Sequence, residues 1–397
     1  MAGRGQVASR TALNHHHAVN QNHRRGSLPP AMDVLLPEWS PRRALILRWP
    51  WRTDIWPFQA VAAQQAVVDT LCRLQPLLQA RSIQLVLQVH SSSAANAAEQ
   101  LKTHQLSSIQ LDVVDYADIW VRDCAPFYVQ QSATCSDPTS LPHEPGRVVS
   151  LLTGFNGWGG LDPDFADDLA ARDWLCKRYQ LDREPLDLVL EGGSLHTNGE
   201  GLLLYVASSV LEPKRNPTLN QETLHQLFRD SFAARNIIAL AQGLVCDETG
   251  GHADNLLTFL SPRTLAVTLP DDPMHPEYEG CQQTVADLRQ QLSEQQLAVE
   301  LLPLPMPQLQ LSEAEALSIR RRSNTLQRPP GMPLCASYCN GIRLGDIYAM
   351  PTFGVPEDAL ARGLIEQAEP RLTVIELPAR ALLPGGGGWH CASHAVV

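Results

Sequence analysis

No apolar run in the 397 residues approaches the eighteen or more needed to cross a bilayer, so no transmembrane helix is expected. Basic residues are scarce: 31 Lys and Arg stand against 42 Asp and Glu, a formal net charge of −11. A partner gripped through its phosphates requires the opposite balance, which excludes nucleic acid and favours a cationic ligand. Cysteine occurs nine times but never as CxxC, and Cys335 and Cys339 have no His or Cys companions at zinc spacing. Free thiols in a reducing compartment, the cytoplasm, are the expectation. Residues 1–30 contain no acidic residue and lack the apolar centre of a secretory signal. They read as a disordered extension, in which His15, His16 and His17 are a solvated tail rather than a metal site, and folding is expected to begin near Met32.

What is present is 44% hydrophobic and 18% charged, the composition of a globular chain with a large core. Apolar runs predict strands at Ala44–Arg48, Ile83–Val89, Ile109–Val114, Leu186–Leu190, Leu202–Val206, Ile237–Leu240, Leu297–Leu301 and Leu372–Leu377. Hairpins are expected at 256–269 and 340–348. Helical spacing is read at 59–78 (Val61, Val68, Leu71, Leu74, Leu78), 94–104, 165–179, 221–234, 277–295 and 357–369. Strand, strand, helix, strand therefore recurs about five times, without any residue-level repeat. Two ordinary α/β domains would account for the pattern as well, but no linker divides the chain. The Pro-rich stretch 302–308 and the Arg-bearing stretch 318–330 read as loops, which leaves a single propeller-like α/β domain with loops converging on a central pocket.

Four short stretches carry chemistry. Gly385-Gly386-Gly387-Gly388 is followed by Trp389-His390-Cys391; the glycines free the backbone for positive φ and close approach, and Cys391 is expected in an extended segment at a cleft mouth. Trp120-Val121-Arg122-Asp123 is read as extended, with Arg122 and Asp123 on opposite sides. In Leu190-Glu191-Gly192-Gly193, a glutamate at a strand end precedes two glycines. In Gly251-His252-Ala253-Asp254-Asn255, read as extended, His252 and Asp254 share a face while Ala253 and Asn255 turn away. Each alone is as easily a plain turn or a surface ion pair. Together they give a thiol, a histidine and several carboxylates with no metal pattern. A Cys/His pair supports nucleophilic catalysis. Carboxylates around a thiol raise its pKa unless the substrate is a cation, and guanidinium fits their fork best.

These stretches, with Phe155-Asn156-Gly157-Trp158-Gly159-Gly160, Arg215-Asn216-Pro217 and Ser337-Tyr338-x-Asn340, occur in this order in the agmatine deiminase family, also called the bacterial-type peptidyl-arginine deiminases. The chain resembles that family over about residues 37–394. The resemblance implies a five-bladed α/β propeller (the pentein fold) of repeated ββαβ units, here one catalytic domain over residues 31–397. It also implies hydrolysis of a guanidine to a urea with loss of ammonia, with no cofactor and no metal. Cys391 would be the nucleophile and His252 the acid and base. Asp123 and Asp254 would hold the guanidinium, Glu191 would support His252 or the substrate, and Trp120 and Asn340 would line the pocket. His390 stays structural, because neighbours on a strand face apart. Where members carry Trp-Met-Ala-Trp-Pro this chain has Ile46-Leu47-Arg48-Trp49-Pro50, and Arg-Asp-Thr-Gly-Pro becomes Arg122-Asp123-Cys124-Ala125-Pro126. These departures leave the far end of the substrate open: agmatine in polyamine metabolism is the family default, arginine or peptidyl-arginine the alternative. A non-catalytic guanidine-binding protein would have no use for the thiol. A homo-oligomer stays open.

Overall fold

The run Ala44–Arg48 has no polar residue before its last position, so neither face of the strand tolerates water and it must lie inside the protein. In the computed structural model all five of its residues are buried. Gln84–Val89 runs parallel to it, Leu45 opposite Leu85 and Leu47 opposite Leu87, and Gln110–Val113 extends the sheet in the same sense. On its other side Ser393–Val396 pairs antiparallel, Ser393 opposite Leu47 and Val396 opposite Ala44. The chain's last strand thus completes the sheet begun by one of its first. The described residues are 33–131, 146–322 and 325–397, so the expectation for residues 1–30 lies outside them. Residues Met32–Val397 group as one unit, and among the described residues no helix is long and apolar enough to cross a membrane.

Parallel neighbours require a crossover, and helix Val61–Ala80 supplies it between Ala44–Arg48 and Gln84–Val89. Its buried stripe holds Val68, Leu71, Leu74 and Leu78 as the spacing predicts, but Val61 is 64% exposed. The chain enters the helix through Phe58, Gln59 and Ala60, all at positive φ. That entry delays the helix by two residues and turns its first one to water.

The same unit recurs. Val148–Gly154 pairs antiparallel with Phe127–Gln130 and parallel with Arg183–Val189 across helix Ala166–Arg178. Leu202–Val206 is flanked in this way by Leu195–Thr197 and Asn236–Leu240, and Thr264–Thr268 by Leu257–Ser261 and Glu300–Leu304. Ile347–Thr352 is flanked by Ile342–Leu344 and Thr373–Pro378. The described residues thus hold five sheets of three or four strands, besides one short two-stranded pairing. This is a mixed α/β fold.

One strand lies three residues later than its apolar run suggests. Leu297 still belongs to the end of the preceding helix, its N–H bonded to the Leu292 carbonyl, and the strand is Glu300–Leu304. Part of the Pro-rich stretch expected to be loop is therefore sheet. Glu300–Leu304 is an edge strand, where a residue without an N–H, here Pro303, is tolerated.

Candidate active site

Pairing of Ser393 with Leu47 fixes the chain two residues beyond Cys391. The glycines before it are not a free tail. Only Gly386 has positive φ, at 109°; the other three are there for room. A Cβ on Gly385 would lie 2.3 Å from the Trp56 ring, and one on Gly387 would lie 2.9 Å from Trp120 and 3.1 Å from the Cys391 Sγ. One on Gly388 would lie 2.7 Å from the Asn340 side-chain oxygen. The expected extended segment is a turn, which seats Cys391, 5% exposed, on the floor of a cavity rather than at its mouth.

Asp123 and Asp254 also stand on turns where extended chain was expected. Val121–Cys124 is one helical turn, closed by the Ala125 N–H on the Val121 carbonyl. It still separates its neighbours: Arg122 reaches Glu38 at 2.8 Å while Asp123 faces the cavity. Ala253–Leu256 is another turn, with His252 at its N-cap. Asp247 sets it up by accepting the His252 N–H at 2.8 Å and the Asn255 amide at 2.9 Å. Asn255 therefore does not turn away; it faces the cavity and accepts a hydrogen bond from the Asn340 side-chain amide at 2.9 Å.

Gly193 is where these groups meet. Its N–H donates to Asp123 Oδ1 at 3.0 Å and its carbonyl accepts the Asp254 N–H at 3.1 Å. A Cβ there would sit 2.7 Å from His252 Nδ1, 2.8 Å from Asp254 Oδ2 and 3.1 Å from Asp123 Oδ1, so no other residue leaves the three side chains room. Asp123 Oδ2 accepts the Trp158 indole N–H at 2.9 Å. His252 lies 3.8 Å from Asp123 and 3.9 Å from Glu191, ion-pair contacts too long for hydrogen bonds, and its Nε2 has no hydrogen-bond partner. Glu191 is anchored by Arg215 at 2.8 Å and by the Ser194 hydroxyl at 3.2 Å.

The thiol has two polar neighbours: Asp254 Oδ2 at 3.2 Å and the Asn340 amide nitrogen, which donates to it at 3.1 Å. Asp254 Oδ2 also takes the ring of His390 at 2.8 Å, while its Oδ1 is buried without a partner. His390 continues to Glu38 at 2.7 Å. His390 thus backs Asp254 instead of entering the cavity, and it does so from a turn, not from a strand. Cys391, His252, Asp123 and Trp120 form part of the wall of the cavity. Glu191, Asp254 and Asn340 stand directly behind it.

Burial opposes charge throughout this site, and the departures from that rule locate the chemistry. Burial pushes the Cys391 thiol well above its ordinary value, and Asp254 and Asp123 push it further. His252 goes the other way: burial lowers it, but Asp123 and then Glu191 outweigh that and raise it to about 10. Glu191 falls to about 2, because His252 and Arg215 outweigh its burial. Asp123 rises to about 6, through burial and the nearby Asp254, with His252 pulling it down. His390 and His252 hold Asp254 low against its burial. The site thus holds a neutral thiol and a protonated His252, with Asp123 on the cavity wall and Asp254 and Glu191 behind it. A planar cation would relieve the carboxylates and lower the thiol pKa.

Several working parts were not singled out from the sequence. Trp158 and Arg215 lie inside motifs whose order was recognised, yet an indole N–H aimed at a carboxylate 35 positions away leaves no local mark. Glu38 follows Pro37 in an ordinary-looking turn, 352 positions from its partner His390. Among the described residues no group of three or more His, Cys, Asp or Glu side chains is arranged to hold a metal ion.

The Porphyromonas-type peptidyl-arginine deiminase family model matches residues 34–396, and the chain belongs to this family. Among its relatives, the agmatine deiminase of Ectopseudomonas mendocina is 32% identical over 368 residues, 89% of this chain and 92% of that one. The agmatine deiminase of Pseudomonas fluorescens is 30% identical over 380 residues, 92% and 96% of the two chains. In fold the chain is similar to the agmatine deiminase of Enterococcus faecalis, with a TM-score of 0.80 at 24% identity over 92% of this chain and 95% of that one. It is also similar to the C. jejuni agmatine deiminase, with a TM-score of 0.72 at 22% identity over 92% and 96%.

Proposed function

We propose that the chain is a guanidine deiminase that converts agmatine to N-carbamoylputrescine and ammonia, on a path to putrescine and the polyamines. Family membership makes it a hydrolase of carbon–nitrogen bonds in amidines. The observation that carries the reading is Cys391 beside Asp254, with protonated His252 and Asp123 facing the same cavity.

In this mechanism the guanidinium enters beside Asp123, and its plane is fixed by that carboxylate together with the unpartnered Oδ1 of Asp254 just behind the wall. Its charge cancels the field that holds the thiol neutral, and the Cys391 proton passes to Asp254 Oδ2. The thiolate adds to the guanidinium carbon to give a neutral tetrahedral adduct. His252 gives its proton to one nitrogen, ammonia departs, and a cationic thiouronium remains on Cys391. Now neutral, His252 takes a proton from water as its oxygen adds to the same carbon. The carbon–sulfur bond breaks, the thiolate recovers its proton from Asp254, and the protonated urea loses one to the released ammonia. Ammonium and the carbamoyl amine are the products.

In this reading the five sheets stand around a pseudo-axis as the blades of a propeller, residues 31–397 act as one catalytic domain in the cytoplasm, and Trp120 packs on the flat cation. The family model's description favours a second substrate, peptidyl-arginine. Ammonia release from agmatine, free arginine and a blocked arginyl peptide, offered separately, decides between them. Replacing Cys391 by Ala is expected to abolish release while calorimetry still detects agmatine binding. Undiminished turnover in that variant would reject the assignment.

A further inference from the structure

The cavity has a second charged end. Beyond Asp123 and His252, the charged residues on its wall are Asp118, Asp162, Glu248 and Arg328. Glu248 and Arg328 hold each other through two hydrogen bonds, of 3.0 and 2.6 Å. Asp162 takes one nitrogen of Arg52 at 2.6 Å, and Arg52 spends its others on Asp54 at 3.3 and 2.8 Å. Asp118 is different. Its Oδ1 accepts the Trp56 indole N–H at 3.1 Å and the Ile119 N–H at 2.9 Å, but its Oδ2 is buried with no donor. Asp118 is 2% exposed, and no Lys or Arg among the described residues forms an ion pair with it. A buried carboxylate oxygen without a partner is costly, and the cost falls when a cation arrives.

The wall between the two ends is apolar. Trp56, held by Asp118, lies 5.9 Å ring to ring from Trp120, and Trp120 adjoins Gly387 and so the thiol. Ile55 and Leu161 complete this stretch. Asp118, Trp120, Asp123 and Cys391 thus line one cavity, with Trp56 packed against Trp120. This lining matches a molecule with a guanidinium, a short alkyl spacer and a second cation. Free arginine would bring a carboxylate to the far end, where Arg328 already has an acid, Glu248.

Building on the deiminase reading above, we propose that Asp118 is a specificity-determining residue that receives the terminal ammonium of an α,ω-guanidino-amine through its unpartnered oxygen. The test compares agmatine with butylguanidine, which has the same chain without the amine, in wild type and in Asp118→Asn. Asn retains an acceptor for Trp56 and Ile119 while replacing the unpartnered, charged oxygen by a neutral NH2 group. Wild type is expected to prefer agmatine. In the variant kcat/KM for agmatine falls by roughly 10- to 100-fold, the worth of a charge-assisted contact, mostly through KM, while butylguanidine turnover is unchanged. Unchanged butylguanidine turnover also certifies that the variant is folded. An equal fall on both substrates would make Asp118 a prop for Trp56, and no fall on agmatine would remove its role; either overturns the proposal. Should the variant melt early, wild type alone decides, because equal efficiency on the two substrates overturns the proposal with the chemistry intact. Turnover of neither rejects the deiminase reading, and this inference with it.

Discussion

The protonation of His252 can be moved by a single isosteric change. Glu191 lies 3.9 Å from His252 Nε2, and both side chains are buried. With an effective dielectric constant of about 20, a charge pair at that distance is worth about 4 kcal/mol, which corresponds to about three pH units. Glu191→Gln removes the charge but leaves an oxygen to accept from Arg215. His252, raised to about 10 in the native site, is then expected to titrate near pH 7, by roughly the Coulomb term just given. The mechanism needs the ring protonated when the amine departs. Activity is therefore present below the pKa of His252 and is lost as pH rises through it. The measurement is kcat/KM for ammonia release between pH 5 and pH 11, with the histidine titrations followed by NMR. The alkaline limb should move from near pH 10 to near neutrality. A limb that stays in place while NMR shows His252 titrating earlier would refute the acid role of His252.

His390→Gln tests the support behind the wall: Gln cannot span Glu38 and Asp254, and Asp254 loses the charge that holds it low. The expected result is a fall in kcat of about 10- to 100-fold with little change in KM, and an acid limb displaced upward. A loss confined to KM would contradict that role. Gly387→Ala puts a methyl group 2.9 Å from Trp120 and 3.1 Å from the thiol. It is expected to cost about 1–3 kcal/mol in thermal or urea unfolding, and to lower kcat/KM by about tenfold or more. The control is Gly280→Ala, in helix Tyr278–Glu294 with nothing within 4 Å of the new carbon, which should stabilise by about 0.5–1 kcal/mol. Equal effects from the two changes would mean that the close packing at Gly387 is unimportant.

Most of the recurring unit is legible in the sequence because strands such as Ala44–Arg48 and Leu202–Val206 are dense apolar runs and the long helices carry their own period, both local properties. Phe127–Gln130, Val148–Gly154 and Leu195–Thr197 are absent from that reading. Such local signals fail at short turns. Val121–Cys124 and Ala253–Leu256 are four residues each, too short to show a period. Both are set by contacts with distant chain, such as the Gly193 carbonyl on the Asp254 N–H. The thiol, the histidine and the three acids could be chosen because few residue types carry such chemistry. Which of them touch could not. Cys391 meets Asp254 across 137 positions and Asn340 across 51, and spacing says nothing about such meetings. Of the two reasons that mark the terminal glycines, close approach holds at Gly385, Gly387 and Gly388 and positive φ at Gly386 alone.

The strand Ser393–Val396 has a bearing on how the molecule matures. Its pairing with Ala44–Arg48 joins the two ends of the described chain, and the His390–Glu38 contact spans 352 positions. Contacts of such range pay a large loop-closure entropy and form after local structure is in place. The nucleophile sits on the turn that leads into that strand. An intermediate with every hairpin and crossover helix formed but this strand undocked would possess the carboxylates and His252 and still be chemically inert. Turnover in a refolding experiment then counts only molecules whose first sheet has closed, whereas circular dichroism also counts those waiting to close.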